Sequence, residues 1–142
     1  MSDNVHHFTS LGALIVEDEP FIAMDLEHGL EEVGFKTSVY ASCEDAHRVV
    51  RQTVFEAAVL DVNLSREETS IPIAERLIEL RIPFVFHTGD VEGNAELLAR
   101  FNAPIIPKPM PSSVVAHTLK CLVEGVPTDE FFEAIQSDRN LS

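Results

Sequence analysis

The chain has 142 residues, 45% of them hydrophobic and 24% charged, which suits one packed core and leaves no room for a second catalytic or DNA-binding domain. Lys and Arg total 10 against 24 Asp and Glu, a formal charge of −14 that repels a phosphate backbone and argues against nucleic-acid binding. Met1 to Ser10 lacks the basic and apolar parts of a secretory signal, and no apolar run nears the ~20 residues that span a bilayer. A cytoplasmic chain with no membrane partner is expected.

Residues 1–10 read as a tail, and 11–17 as a first strand, short and apolar. Ile22, Leu26, Leu30 and Val33 recur at spacings of four, four and three, predicting a helix over 20–33 that Gly34 stops. A second strand is predicted at 35–40, then a helix over about 43–53 with Ser42 as N-cap and Asp45 in the capping-box position. Its expected inner face is Ala46, Val49, Val50 and Thr53. Strand three, at 56–61, leads to a helix over about 70–81 with Ile73, Ala74, Leu77 and Ile78 inward. Strand four, at 83–88, leads to a weaker helix over about 92–101, carrying Leu97, Leu98 and Phe101. Strand five, at 104–107, precedes a helix from Ser112 or Ser113 to about Glu124, with Val115, Leu119 and Leu122 aligned and Gly125 as its stop. Residues 126–142 form an extension in which Asp129 to Gln136, with Phe131, Phe132 and Ile135, suits a short helix. Cys43 and Cys121 lack C-x-x-C spacing and a companion His cluster, so they read as isolated reduced thiols with no disulfide.

Five alternations of strand and helix imply right-handed β-α-β units and an α/β domain over 11–125. Continuously apolar strands point to a parallel sheet covered on both faces. The doubly wound order 2-1-3-4-5, a flavodoxin-like arrangement, sets strands one and three side by side at the switch point, where ligands bind beyond the C-terminal strand ends. Glu17 and Asp18, Asp61, Thr88 and Lys108 follow strands one, three, four and five there.

Singly, each of these residues has a plain structural reading. Glu17, Asp18 and Glu19 can start a helix with Pro20 in its first turn, Asp61 and Thr88 can serve turns, and Lys108 can be a solvated lysine. Their occurrence at four strand ends favours one site. Clustered carboxylates need a compensating cation, and an all-oxygen site suits Mg²⁺ better than zinc, with Asp18 and Asp61 as natural direct ligands. Asp61 is then placed to accept a phosphoryl group, Lys108 to offer a point charge to the phosphoryl oxygens and Thr88 a hydroxyl donor. His87 adjoins the site, and a neutral side chain packed over the loop is expected. His6 and His7 fall in the tail, and His28, His47 and His117 on helix surfaces.

The segments Val16-Glu17-Asp18-Glu19, Leu60-Asp61-Val62-Asn63, Phe86-His87-Thr88-Gly89 and Lys108-Pro109 together resemble the receiver domain of two-component response regulators, over about residues 10–124. The resemblance implies Asp61 as phosphoacceptor, Thr88 and Lys108 as its helpers, and Mg²⁺ held by Asp18, Asp61, the Asn63 backbone carbonyl and, through water, Glu17. It also implies a cis Lys108-Pro109 bond, and Asn63 and Asp90, which flank the site, are expected to tune hydrolysis. Phe86-His87-Thr88-Gly89 is similar to a receiver subgroup with Phe-Ala-Thr-Gly-Tyr, in which Asp90 here replaces the Tyr. Ile105 stands where many receivers carry an aromatic, so the usual aromatic switch lacks its residues. The switch expected instead is electrostatic: a new dianion draws Thr88 and Lys108 inward and biases the loop and helix after strand four.

The function so implied is a single-domain response regulator, not an enzyme in its own right. It takes a phosphoryl group from a histidine kinase or histidine phosphotransfer protein and signals, as a monomer or weak homodimer, to a downstream protein target. The surface of helix four, strand five and helix five is the expected contact. A phosphorylation-independent binding adaptor is the alternative. A metal-dependent phosphatase fits poorly, because Asp61-Val62-Asn63 lacks a second carboxylate two residues on.

Overall fold

The computed structural model describes residues 11–127. The expected tail at 1–10 and the extension helix at 129–136 lie outside them. The elements are β1 (Leu11–Val16), α1 (Pro20–Glu32), β2 (Phe35–Tyr40), α2 (Cys43–Gln52), β3 (Ala57–Leu60), a 3-10 turn (Ser65–Glu67), α3 (Ile71–Glu79), β4 (Phe84–Thr88), α4 (Val91–Leu98), β5 (Ile105–Pro107) and α5 (Ser112–Glu124). All strand pairs are parallel, in the order β2-β1-β3-β4-β5. The flavodoxin-like α/β architecture is therefore as the alternation of elements predicts.

Each central strand is buried on both sides, which is why its sequence does not alternate apolar with polar. Leu14, Val16, Ala58, Leu60 and Phe86 face α2, α3 and α4, against Ala46, Val50, Ile73, Leu77 and Leu98. Ala13, Ile15, Ala57, Val59, Val85 and Ile106 face α1 and α5, against Leu26, Leu30, Val115 and Leu119. Ser42 caps α2 by accepting from Asp45 N–H at 3.2 Å, and Gly125, with φ of 72°, closes α5 in the left-handed conformation that glycine favours.

Two residues expected on inner faces, Thr53 and Ile78, lie elsewhere, and Leu97, part of the apolar content expected of the fourth helix, is also exposed. Thr53 is exposed, because it caps α2 in an extended conformation and leaves the helical stripe. Ile78, on the last turn of α3, is 49% exposed, and Ile71 at the first turn completes the buried face instead. Leu97 is 39% exposed because Leu98, about 100° further round the helix, takes the inward direction. α4 is also shorter than predicted, and Phe101 packs into the core from beyond its end.

α1 and α5 come close at Gly29, where an added Cβ would lie 2.7 Å from Ser112 Oγ and 3.0 Å from the Ser112 carbonyl oxygen. Gly29→Ala should therefore destabilise the fold by about 1–3 kcal/mol, although alanine is the better helix former. Gly89, with no atom within 4 Å of an added Cβ, supplies the control. Urea denaturation should show a lowered midpoint for Gly29→Ala and little change for Gly89→Ala.

Candidate functional site

β1 and β3 end at Val16 and Leu60, so the next residues, Glu17 and Asp61, leave the sheet side by side at its C-terminal edge. Glu17 N–H still donates to Tyr40 O at 3.1 Å, and Asp61 N–H to Val16 O at 2.8 Å. These bonds fix where the two carboxylates start. Lys108 follows β5, and its N–H donates to Thr88 O at 2.8 Å. The Lys108-Pro109 peptide is cis.

Glu17, Asp18, Asp61 and Lys108 meet in space. Lys108 Nζ lies 2.8 Å from Glu17 Oε1 and 3.2 Å from Asp61 Oδ2. Glu17 and Asp61 are only 2% and 6% exposed. Asp18 stands at the rim, where Ser65 donates both its N–H, at 2.7 Å, and its hydroxyl to Asp18 Oδ2. Burial, then repulsion from Glu17, pushes the Asp61 carboxyl up to about 7 against the opposing pull of Lys108. Burial alone would lower the Lys108 ammonium, but hydrogen bonding to Glu17 and the charges of Asp61 and Glu17 outweigh it and raise its pKa. One ammonium thus contacts two buried carboxylates, with a third, Asp18, at the rim.

Such a site has the makings of a cation site. One ligand oxygen from each of Glu17, Asp18 and Asp61 lies within 4.8 Å of the others. Lys108 and Ser65 engage one oxygen of Asp61 and one of Asp18, so these two carboxylates each keep a second oxygen for a ligand, whereas Glu17 has Oε1 on Lys108 and Oε2 accepting from Glu19 N–H at 3.2 Å. Asn63 pairs with Thr69 in an antiparallel bridge whose bonds run from Leu64 N–H to Glu68 O and from Ser70 N–H to Val62 O. That bridge does not consume the Asn63 carbonyl. An all-oxygen set with excess negative charge fits Mg²⁺.

Thr88 ends β4, and its hydroxyl oxygen accepts from Asp90 N–H at 3.1 Å and from Asn94 Nδ2 at 3.4 Å. Asp90 is the N-cap of α4, accepting from Gly93 N–H at 2.9 Å. Asn94 Nδ2 also donates to Asn63 Oδ1 at 2.8 Å and to Asp90 O at 2.7 Å. Asn94 and Ser65 are the polar contacts that sequence reasoning missed. Both meet partners far along the chain or across a loop, although Asp90 four residues before Asn94 offered a local signal for the α4 cap.

His87 is packed, as expected, but within β4 rather than over the loop. It is 3% exposed, neither ring nitrogen has a hydrogen-bond partner among the described residues, and burial, then the Lys108 charge, lowers its pKa to about 4. It lines a cavity of about 240 Å³ with Phe21, Asp25, Lys108 and Met110. Both cysteines are free, and burial, then the charge of Glu68, pushes the Cys43 thiol up, which keeps it protonated and inert. Among the described residues no helix is long and apolar enough to cross a membrane.

No family model and no curated protein matches the chain. Solved structures do. SdrG from Sphingomonas melonis Fr1 is 39% identical, covering 80% of this chain and 97% of its own, with a TM-score of 0.68. The PhyR response regulator REC domain of Erythrobacter litoralis is 23% identical over 82% of this chain and 92% of its own, with a TM-score of 0.68. A sensor histidine kinase receiver domain from Pseudomonas aeruginosa is 18% identical, covering 82% of this chain and 99% of its own, with a TM-score of 0.72. That structure has a magnesium ion coordinated in its active site cleft.

Two buried groups give opposite pH dependences. His87 ordinarily titrates at 6.5 and here at about 4, so between those values the unfolded chain takes a proton that the folded chain refuses. Its stability contribution is full above about 6.5 and falls by up to about 3 kcal/mol as pH drops through the window. Asp61 ordinarily titrates at 3.8 and here at about 7, so its contribution is full below the lower value and is lost as pH rises through the higher. Without divalent cations, Asp61→Asn should exceed wild type in stability at pH 8, on the order of 1–3 kcal/mol, with the gap closing towards pH 4. His87→Leu should gain on wild type below pH 6.5. Urea denaturation of the three proteins across pH measures both trends.

Proposed function

Because the chain belongs to the response-regulator receiver domains, we propose that Asp61 accepts a phosphoryl group from a phosphohistidine donor, a histidine kinase or a histidine phosphotransfer protein. The observation that carries this reading is the Lys108 ammonium held 2.8 Å from Glu17 and 3.2 Å from Asp61, beside a third carboxylate. An Asp61 oxygen attacks phosphorus, and the donor's P–N bond breaks with its electron pair leaving on the imidazole nitrogen. Lys108 turns from the carboxylates to a phosphoryl oxygen, and the Thr88 hydroxyl donates to another. Asp18, Asp61 and the Asn63 backbone carbonyl would hold Mg²⁺, with Glu17 as the outer carboxylate acting through water. When bound, Mg²⁺ offsets charge on the carboxylates and on the incoming group.

The phosphorylated domain then signals by contact with a downstream protein. A phosphorylation-independent adaptor is the second reading, favoured by three departures near the site, Asp90 and Ile105 in place of the aromatic switch residues and His87 beside Thr88.

Incubation with Mg²⁺ and acetyl phosphate separates the two. The expected result is a base-labile gain of one phosphoryl mass in the intact protein, absent from Asp61→Asn and suppressed by EDTA. Lys108→Met should slow adduct formation about 10²-fold, the usual cost of losing a donor aimed at developing negative charge. A wild-type chain that takes no phosphoryl group under these conditions leaves the adaptor reading standing.

A further inference from the structure

α4 is a short helix of 8 residues with one large buried apolar side chain, Leu98. Its other buried residue is Asn94, which is 7% exposed. A buried amide costs stability unless its hydrogen bonds are made, so its partners state its role. They come from three segments: Asn63 in the loop after β3, Thr88 at the end of β4, and Asp90 at the α4 cap.

The chemistry of the amide orders these contacts. Asp90 O is a carbonyl and can only accept, so the Asn94 atom 2.7 Å from it is the NH₂ nitrogen. The Asn63 atom facing that nitrogen must then be its oxygen. Two hydrogens on Nδ2 meet three acceptors, at 2.7, 2.8 and 3.4 Å. The short bonds, to Asp90 O and Asn63 Oδ1, take them, and the longest, to the Thr88 hydroxyl, is the one that yields. Asn63 is exposed, its oxygen is committed to Asn94, and its own NH₂ has no partner among the described residues. It stands two residues from Asp61.

We propose that the Asn63 and Asn94 side chains form an amide relay between the acceptor site and α4, with Asn94 as the positioning residue. A phosphoryl oxygen on Asp61 accepts from the Asn63 NH₂, which turns or polarises the Asn63 amide and alters its bond to Asn94. Asn94 in turn holds Asp90, the residue that caps α4. As the Thr88 hydroxyl moves towards the phosphoryl group it gives up the 3.4 Å contact with Asn94 and the 3.1 Å bond from Asp90 N–H, while the two short bonds of Asn94 stay made. The signal thus reaches the helix through amides, where no aromatic is present to carry it. This inference rests on Asp61 as the phosphoacceptor.

Backbone amide shifts, read before and after saturating beryllofluoride and Mg²⁺, test the relay, and ¹⁹F NMR reports separately whether the mimic is bound. Wild type should bind the mimic and shift its amides over 91–98. Asn94→Leu should still bind it yet lose most of the α4 response while keeping the shifts around Asp61. Asn63→Ala, altered at an exposed position that does not endanger folding, should displace the Asn94 side-chain NH₂ resonance in the free protein and blunt the same α4 response. Full α4 shifts in both variants would overturn the relay while leaving the phosphoacceptor reading intact. Failure of wild type to bind the mimic would overturn both.

Discussion

A single ammonium set between two buried carboxylates governs this domain. Lys108 Nζ contacts Glu17 and Asp61, both almost wholly shielded from water. Removing either carboxylate's solvent without a counter-charge costs several kcal/mol, so the pair cannot persist there unless something compensates it. Lys108 does so only in part, since Asp61 is still driven up to about 7 by burial and by Glu17. The fold accepts a poorly balanced cluster at one edge, with more negative than positive charge in a buried position, which is the kind of imbalance that functional sites carry.

Topology makes the cluster unavoidable. In a parallel sheet covered by helices on both faces, polar side chains have no place along the strands and collect at strand ends. Register does the rest. Val16 lies opposite Leu60, so Glu17 and Asp61 emerge together. Thr88 lies opposite Pro107, which puts Lys108 next to it across the β4–β5 pair. The residues that build the sheet and those that build the site are thus one pattern read at different positions.

That common pattern explains what the sequence made legible. Strand order, element succession and the meeting of Glu17, Asp18, Asp61 and Lys108 follow from apolar runs and the residues that terminate them. Thr53 and Ile78 leave the expected inner faces because each sits at a helix end, and periodicity says nothing about where a stripe stops. Ser65 and Asn94 were missed for a different reason. Ser65 reaches Asp18 from 47 positions away and Asn94 reaches Asn63 from 31, and contacts of that range leave no periodic trace. His87, expected as a neutral side chain over the loop, is instead buried within β4, where burial favours the neutral form.

The helix-four region has the energetics of a movable part. Phe84 and Phe86 of β4 and Phe101 from beyond the helix end meet edge to face, with centroids 5.3 to 6.5 Å apart, and Ile105 packs against the same cluster. An aromatic at Ile105 would compete for that space, whereas the branched aliphatic side chain fills it and is not an amphipathic ring able to swing between solvent and core. Mobility has to come from elsewhere. α4 has little apolar anchorage, since Leu97 points outward and Leu98 alone is large and buried. Its remaining tether is polar, through Asp90 and Asn94. Hydrogen bonds of this kind contribute about 1 kcal/mol each and respond to a new charge, while burial of a large side chain does neither. Replacing apolar with polar anchorage therefore places the helix within reach of what a charge at Asp61 can shift.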